Sequence, residues 1–203
     1  WVAQDQISAA HPAGPLIADR LGEALGLTHL EHKFVVIPDD PALGEFQKEF
    51  GGMLGVLEEH PSTKPPVTPG FQNVEKIYDW DEVWTRMLDE SPKDRIDSRA
   101  YLRARLLDMF IGDWDRHQRQ YSWVRVRGQD RLQAFPGDRD QAFAKFDGVL
   151  MAIPRLGQPR FVNFESKYPE VLGLNWAGRF MDRRVLGDLD AAAWEKVVRE
   201  MQE

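Results

Sequence analysis

The sequence predicts an α+β protein with a small α/β part, a proline-rich crossing and a larger, mainly helical part that carries one β-hairpin. Three observations carry this. Apolar residues recur at helical spacing over Pro15 to Leu25, Ser98 to Phe110 and Asp190 to Met201. Short β-branched and aromatic runs fall at Lys33 to Ile37, Met53 to Leu57 and Tyr121 to Phe135. Four prolines crowd between Pro61 and Gly70, which disfavours helix there and divides the chain into residues 1–62 and 63–203.

Each element has its own local signal. Leu16, Ile17, Leu21 and Leu25 make one helix face, and Gly26 stands just past the end as a stop. Pro38-Asp39-Asp40-Pro41 closes the first strand with turn residues; a short helix over Phe46 to Phe50 and a second strand ending at Glu58-Glu59-His60 follow. Asp79 with Glu82 three residues on reads as a capping box for a helix reaching about Leu88. Asp97 or Ser98 caps the strongest helix, with Leu102, Leu106, Met109 and Phe110 assigned to its apolar face and Gly112 to its stop. Tyr121 to Arg127, a turn at Gly128-Gln129-Asp130 and Arg131 to Phe135 make the hairpin, and the closing helix is read with Ala191, Trp194, Val197 and Val198 inward. Trp80, Trp84, Trp114 and Trp123 read as core residues.

Composition excludes several classes. The 203 residues are 42% hydrophobic and 11% aromatic, enough apolar surface for a packed core, and no apolar run approaches the roughly 18 residues of a membrane span. A net charge of −7 argues against a nucleic-acid coat, and the absence of cysteine removes disulfides, thiol nucleophiles and thiolate zinc sites while leaving the compartment open. The chain starts at Trp1 with no basic stretch leading into an apolar one, which reads as a trimmed N-terminus with any targeting segment missing. Charge is uneven: residues 1–90 sum to −10, residues 91–160 to +5 and the remainder to −2, so the middle third is where an anionic ligand is expected.

The densest polar constellation is Gly112-Asp113-Trp114-Asp115-Arg116-His117-Gln118-Arg119-Gln120, between the strongest helix and the hairpin; a second, Gly137-Asp138-Arg139-Asp140-Gln141, follows the hairpin. Carboxylates beside apolar elements are costly unless a cation compensates them, so two such segments at element ends point to one shared site. Asp138, Asp140 and the amide oxygen of Gln120 suit a hard cation such as Mg²⁺. Asp113 reads as a turn residue after the helix stop, and His117, with no second histidine at ligand spacing, as a hydrogen-bonded brace.

These motifs resemble the catalytic half of the protein-kinase-like fold, most closely its atypical branches: phosphoinositide lipid kinases, HipA-type kinases and spore-coat CotH kinases. Asp115-Arg116-His117 matches their Asp-Arg-His loop, Gln120 stands at the Asp-to-Asn spacing five residues on, and Asp138 follows the hairpin in the place of the metal-binding Asp. The resemblance covers about Ser98 to Phe143. It implies a catalytic set of Asp115, Arg116 and His117, a metal set of Gln120, Asp138 and Asp140, and adenine contacts near Glu58, Glu59 and His60 at a hinge between an incomplete small lobe and the large helical lobe. The helix at Pro15 to Leu25 corresponds to the regulatory helix of the small lobe. The implied activity is phosphotransfer from ATP with Mg²⁺ or Mn²⁺ to an unidentified hydroxyl acceptor. The sequence departs from the pattern in having no Gly-x-Gly-x-x-Gly loop and no Val-Ala-Ile-Lys strand, a Gln for the metal-binding Asn, and Asp-Arg-Asp for Asp-Phe-Gly. A non-catalytic pseudokinase or scaffold of the same fold is therefore the main alternative. A metal-dependent nucleotide-sugar glycosyltransferase, using Asp113-Trp114-Asp115 or Asp138-Arg139-Asp140, is a lower one, since the strand-helix alternation of such folds is missing.

Overall fold

The computed structural model describes residues 10–58, 60–88, 95–146, 157–168 and 171–203, and the fold is mixed α+β. Helix α1 (Gly14–Ala24) opens with Pro15 in its first turn, where the missing N–H has no helical partner to lose, and Gly26 follows its end at φ +66°. Strands β1 (Lys33–Val36) and β2 (Leu54–Leu57) pair antiparallel, Phe34 opposite Val56. Between them lie a 3-10 segment (Pro41–Phe46), capped by the Asp40 carboxylate, and a single helical turn, α2 (Gln47–Phe50).

After the proline-rich crossing, strand β3 (Val74–Tyr78) leads into helix α3 (Trp80–Leu88). The capping box forms as expected: the Asp79 carboxylate accepts from the Glu82 N–H at 2.8 Å, and Glu82 reaches back to the Asp79 N–H at 3.4 Å. Helix α4 (Ser98–Phe110) is capped by Asp97, whose Oδ1 accepts from the N–H groups of Arg99 and Ala100. Strands β4 (Tyr121–Val126) and β5 (Gln133–Pro136) form the hairpin, and among the described residues the helices α5 (Leu172–Asn175), α6 (Arg179–Leu186) and α7 (Ala191–Gln202) follow.

The second sheet has the order β3-β4-β5, all antiparallel, with a bulge between Val74 and Lys76. Both its faces are covered. Side chains alternate along a strand, so Tyr121 and Trp123 enter the main core beside Tyr101, Leu102 and Leu107 of α4, while Val124 and Phe135 join Phe71, Val74 and Leu30 in a second cluster. Ala18 of α1 and Leu27 belong to the main core too, so the first 62 residues share their packing with the helical part although the two sheets stay separate. No described helix is long and apolar enough to cross a membrane.

Several elements differ from the sequence expectation. Strand β3 and helix α6 were not anticipated. On α4 the buried residues include Ala104, Arg105 and Asp108, whereas Phe110 is 65% exposed, because a buried ionic network rather than a simple apolar stripe faces the core. On α7 the inward residues are Ala193 and Val197; Ala191, Trp194 and Val198 face solvent. Of the four tryptophans expected in the core, Trp123 is fully buried, Trp80 packs partly buried against the core, and Trp84 is exposed on α3.

Candidate active site

Helix α4 delivers its C-terminus to the site and stops there for a steric reason. Gly112 sits at φ +66°, and a Cβ on it would lie 2.9 Å from the Tyr168 hydroxyl. Just before the stop, Asp108 is completely buried. Its Oδ2 lies 3.0 Å from Arg105 Nη1 and 3.4 Å from Arg116 Nε, its Oδ1 lies 2.9 Å from Arg139 Nη1, and the Tyr121 hydroxyl donates to it in a short hydrogen bond. Burial alone would raise the Asp108 carboxyl, but the guanidiniums of Arg116, Arg139 and Arg105 outweigh it and hold the group below the ordinary carboxylate range. Arg105 reaches on to Asp182 of α6 at 2.7 Å, and Tyr101 donates to the same carboxylate at 2.5 Å.

Arg116 carries this anchor to the loops. Its guanidinium donates to the backbone carbonyls of Gly137 at 2.6 Å, Asp138 at 2.7 Å and Gln120 at 3.2 Å. Arg116 is thus fully buried and braces the loop by positioning other groups. His117 is a brace: its Nδ1 accepts from the Arg119 N–H at 3.2 Å and caps the 3-10 turn Gln118–Gln120.

That turn feeds β4, and β5 returns the chain. Tyr121 stands opposite Pro136 and the Gly137 N–H donates to the Gln120 carbonyl at 3.0 Å, so the two motifs meet at the open end of the hairpin. There the Gln120 side-chain amide donates to Asp138 Oδ2 at 3.0 Å. Asp138 takes a left-handed backbone, φ +46°, which Asp tolerates better than most residues and which turns the segment sharply after the strand. Asp140 follows, its carboxyl raised first by burial and then by the neighbouring carboxylates of Asp138 and Asp115. Asp115 is half-buried at the edge of the same group.

Gln120 and Asp138 are therefore in contact, and Asp140 lies within the field of Asp138 and Asp115. This is not a cage built from three or more acidic or histidine side chains; no such group exists among the described residues. An oxygen set of two carboxylates and one amide still fits Mg²⁺, which keeps waters or takes phosphate oxygens for its remaining positions. Gln120, Asp138 and Asp140 are the residues that would hold it.

Asp113 is more than a turn residue. It is 1% exposed, neither carboxylate oxygen accepts a hydrogen bond, and the nearest ion-pair contact among the described residues, to Arg116 Nη1, is a long 3.6 Å. Burial pushes its carboxyl up to about 7, against Arg116 and with help from the charge of Asp108. Because this pKa is raised above the unfolded value, the group's contribution to stability is complete at low pH and is lost as pH rises toward 7. Asp113→Asn should accordingly gain stability relative to the parent between pH 5 and pH 8. Urea midpoints showing the same mutant-to-parent difference at both pH values would remove Asp113 from this role.

The hinge residues are less well placed. Glu58 is turned back to His32 Nε2 at 3.4 Å, and His32 in turn holds Asp19 of α1 at 2.8 Å. The His60 carbonyl accepts the Thr68 hydroxyl at 2.9 Å, which uses an oxygen expected to meet an adenine ring. Glu59 lies outside the described residues. Helix α1 does approach the segment after Asp140, since a Cβ on Gly14 would stand 2.9 Å from the Ala142 carbonyl. The sequence reading missed Asp108, Arg105, Arg139, Tyr121 and Asp182 as parts of the site's foundation. Asp108 and Arg105 carried one signal: charged residues in the middle of the strongest apolar helix. No family model matches the chain, and no curated protein matches it.

Proposed function

We propose that the chain is an ATP- and divalent-metal-dependent phosphotransferase of the atypical kinase-like class. The observation that carries the reading is the hairpin-closed contact of Gln120 with Asp138, beside Asp140 and within the field of Asp115. Phosphoryl transfer depends mainly on positioning and charge neutralisation, so these groups suffice for its chemical core. Asp115 would orient the acceptor hydroxyl and take its proton at a carboxylate oxygen. Gln120, Asp138 and Asp140 would hold the metal, which neutralises charge on the transferred phosphate. Arg116 and Asp108 keep the two loops in register. A cavity of about 590 Å³ beside Phe143, lined also by His11, Ile17, Lys145 and Phe164, offers room for an acceptor of small-molecule size.

A scaffold of the same fold is the second reading, favoured by the missing glycine-rich loop and lysine strand. A nucleotide-sugar transferase loses support because both described sheets are antiparallel. ADP release from ATP with Mg²⁺ or Mn²⁺ separates the first two: turnover that depends on Asp115 supports the enzyme, whereas nucleotide binding without turnover supports the scaffold. Within the enzyme reading, Gln120→Ala should require several-fold more Mg²⁺ for half-maximal thermal stabilisation by ATP, because one oxygen ligand is removed. An unchanged Mg²⁺ requirement would take Gln120 out of the metal set.

A further inference from the structure

The excess positive charge of the middle third divides in two. Arg105, Arg116 and Arg139 are buried and paired with Asp108, whereas Arg95, Arg99 and Arg131 are exposed and line one groove together with Arg184 of α6. The groove lies at the N-terminal end of α4, whose 13 residues separate it by about 20 Å from the Asp115 loop. It is a different place from the proposed active site.

Among the described residues Arg95, Arg99 and Arg131 have no carboxylate partner, and Arg184 has only the ring of Trp84, 5.3 Å from its guanidinium carbon. The groove's own carboxylates do little to neutralise them. Asp97 is engaged through both oxygens, with the α4 cap at Oδ1 and the Gln133 amide at Oδ2 3.2 Å away, which leaves Asp188 as the other acidic group among the described residues of the lining. Four guanidiniums held together in a chain of net charge −7 repel one another unless an anion covers them.

The shape selects the kind of anion. The groove has a volume of about 1120 Å³, far more than one phosphate fills, and its arginines come from three separate segments: Arg95 and Arg99 at the start of α4, Arg131 of the hairpin and Arg184 of α6. Between them lie apolar side chains: Met87, Ile96, Val185 and Leu189. Spaced forks around an apolar floor match spaced carboxylates on a chain that also carries apolar side chains. We propose that this groove docks an acidic polypeptide segment with apolar residues between its carboxylates. The proposal does not depend on the phosphotransferase reading.

The test is fluorescence anisotropy with a labelled twelve-residue peptide of interspersed glutamate and leucine, against the same peptide with glutamine for glutamate. The intact chain should bind the glutamate peptide, and Arg99→Glu with Arg131→Glu should weaken it by about tenfold or more at low salt. Lys48→Glu, exposed on α2 and outside the groove lining, should leave binding unchanged. Arg95→Gln with Arg131→Gln, a gentler pair, should weaken it in the same direction and covers the case in which the reversal variant does not fold. Equal binding of the glutamine peptide, or parental affinity in both arginine pairs, overturns the proposal. So does inorganic tripolyphosphate or a single-stranded oligonucleotide competing more tightly than the peptide, since either would make the ligand a phosphate.

Discussion

Replacing Asp115 by asparagine should lower phosphotransfer by about 10²–10⁴-fold, the range supplied by a positioned general base, while leaving the fold intact. Asp115 is half-buried, and no ion pair or hydrogen bond to its side chain has been identified within the described structure, so the nearly isosteric change disturbs little packing. The effect should fall on turnover, with little change in nucleotide affinity, because the proton-accepting carboxylate is needed only as the acceptor hydroxyl attacks. Single-turnover rates with the Mg²⁺ nucleotide check this. Equal turnover in variant and parent would return Asp115 to a structural role.

The largest stability effect is expected at Asp108. Replacing it by alanine removes the shared partner of Arg105, Arg116 and Arg139 and leaves three buried guanidiniums around an apolar gap. Breaking a buried ion pair from one side costs about 3–5 kcal/mol, and a node with three cations should lie at or above the upper end. Urea unfolding followed by circular dichroism measures it. A loss below about 1 kcal/mol, the scale of an exposed pair, would show that the network does not support the fold. Because Arg116 passes this anchor to Gly137, Asp138 and Gln120, a milder change at the same node should also loosen the Gln120–Asp138 contact before it unfolds the chain.

Elements with local signals were legible in the sequence, and those that depend on distant partners were not. Asp79 with Glu82, Asp97 before α4 and Asp190 before α7 are caps whose donors and acceptors lie within three residues, so spacing alone identifies them. Strand β3 escaped because Glu75 and Lys76 interrupt its apolar residues at a bulge, and its identity comes from pairing with β4 about 50 residues on. Helix α6 escaped because Arg179, Asp182, Arg183 and Arg184 mask its short apolar face of Met181, Val185 and Leu186.

The candidate site divides in the same way. Gln120 and Asp138 could be placed together because a two-stranded hairpin must bring its ends side by side. The foundation beneath them could not. Asp108 meets Arg139 and Tyr121 only after the hairpin folds back on α4, and Asp182 arrives from α6 to complete the network. Burial makes Arg116 the brace of three carbonyls and changes the role of Asp113, which is nearly inaccessible to water.

Calorimetric titration of ATP into the intact chain, with and without Mg²⁺ and repeated on Asp138→Asn, bears most directly on the proposed metal-nucleotide site. The parent should bind ATP in a Mg²⁺-dependent way, and Asp138→Asn should weaken that binding by about tenfold or more, because a carboxylate ligand becomes a neutral amide. Failure of the parent to bind, or binding that is the same without Mg²⁺ and in Asp138→Asn, would contradict the kinase-like account.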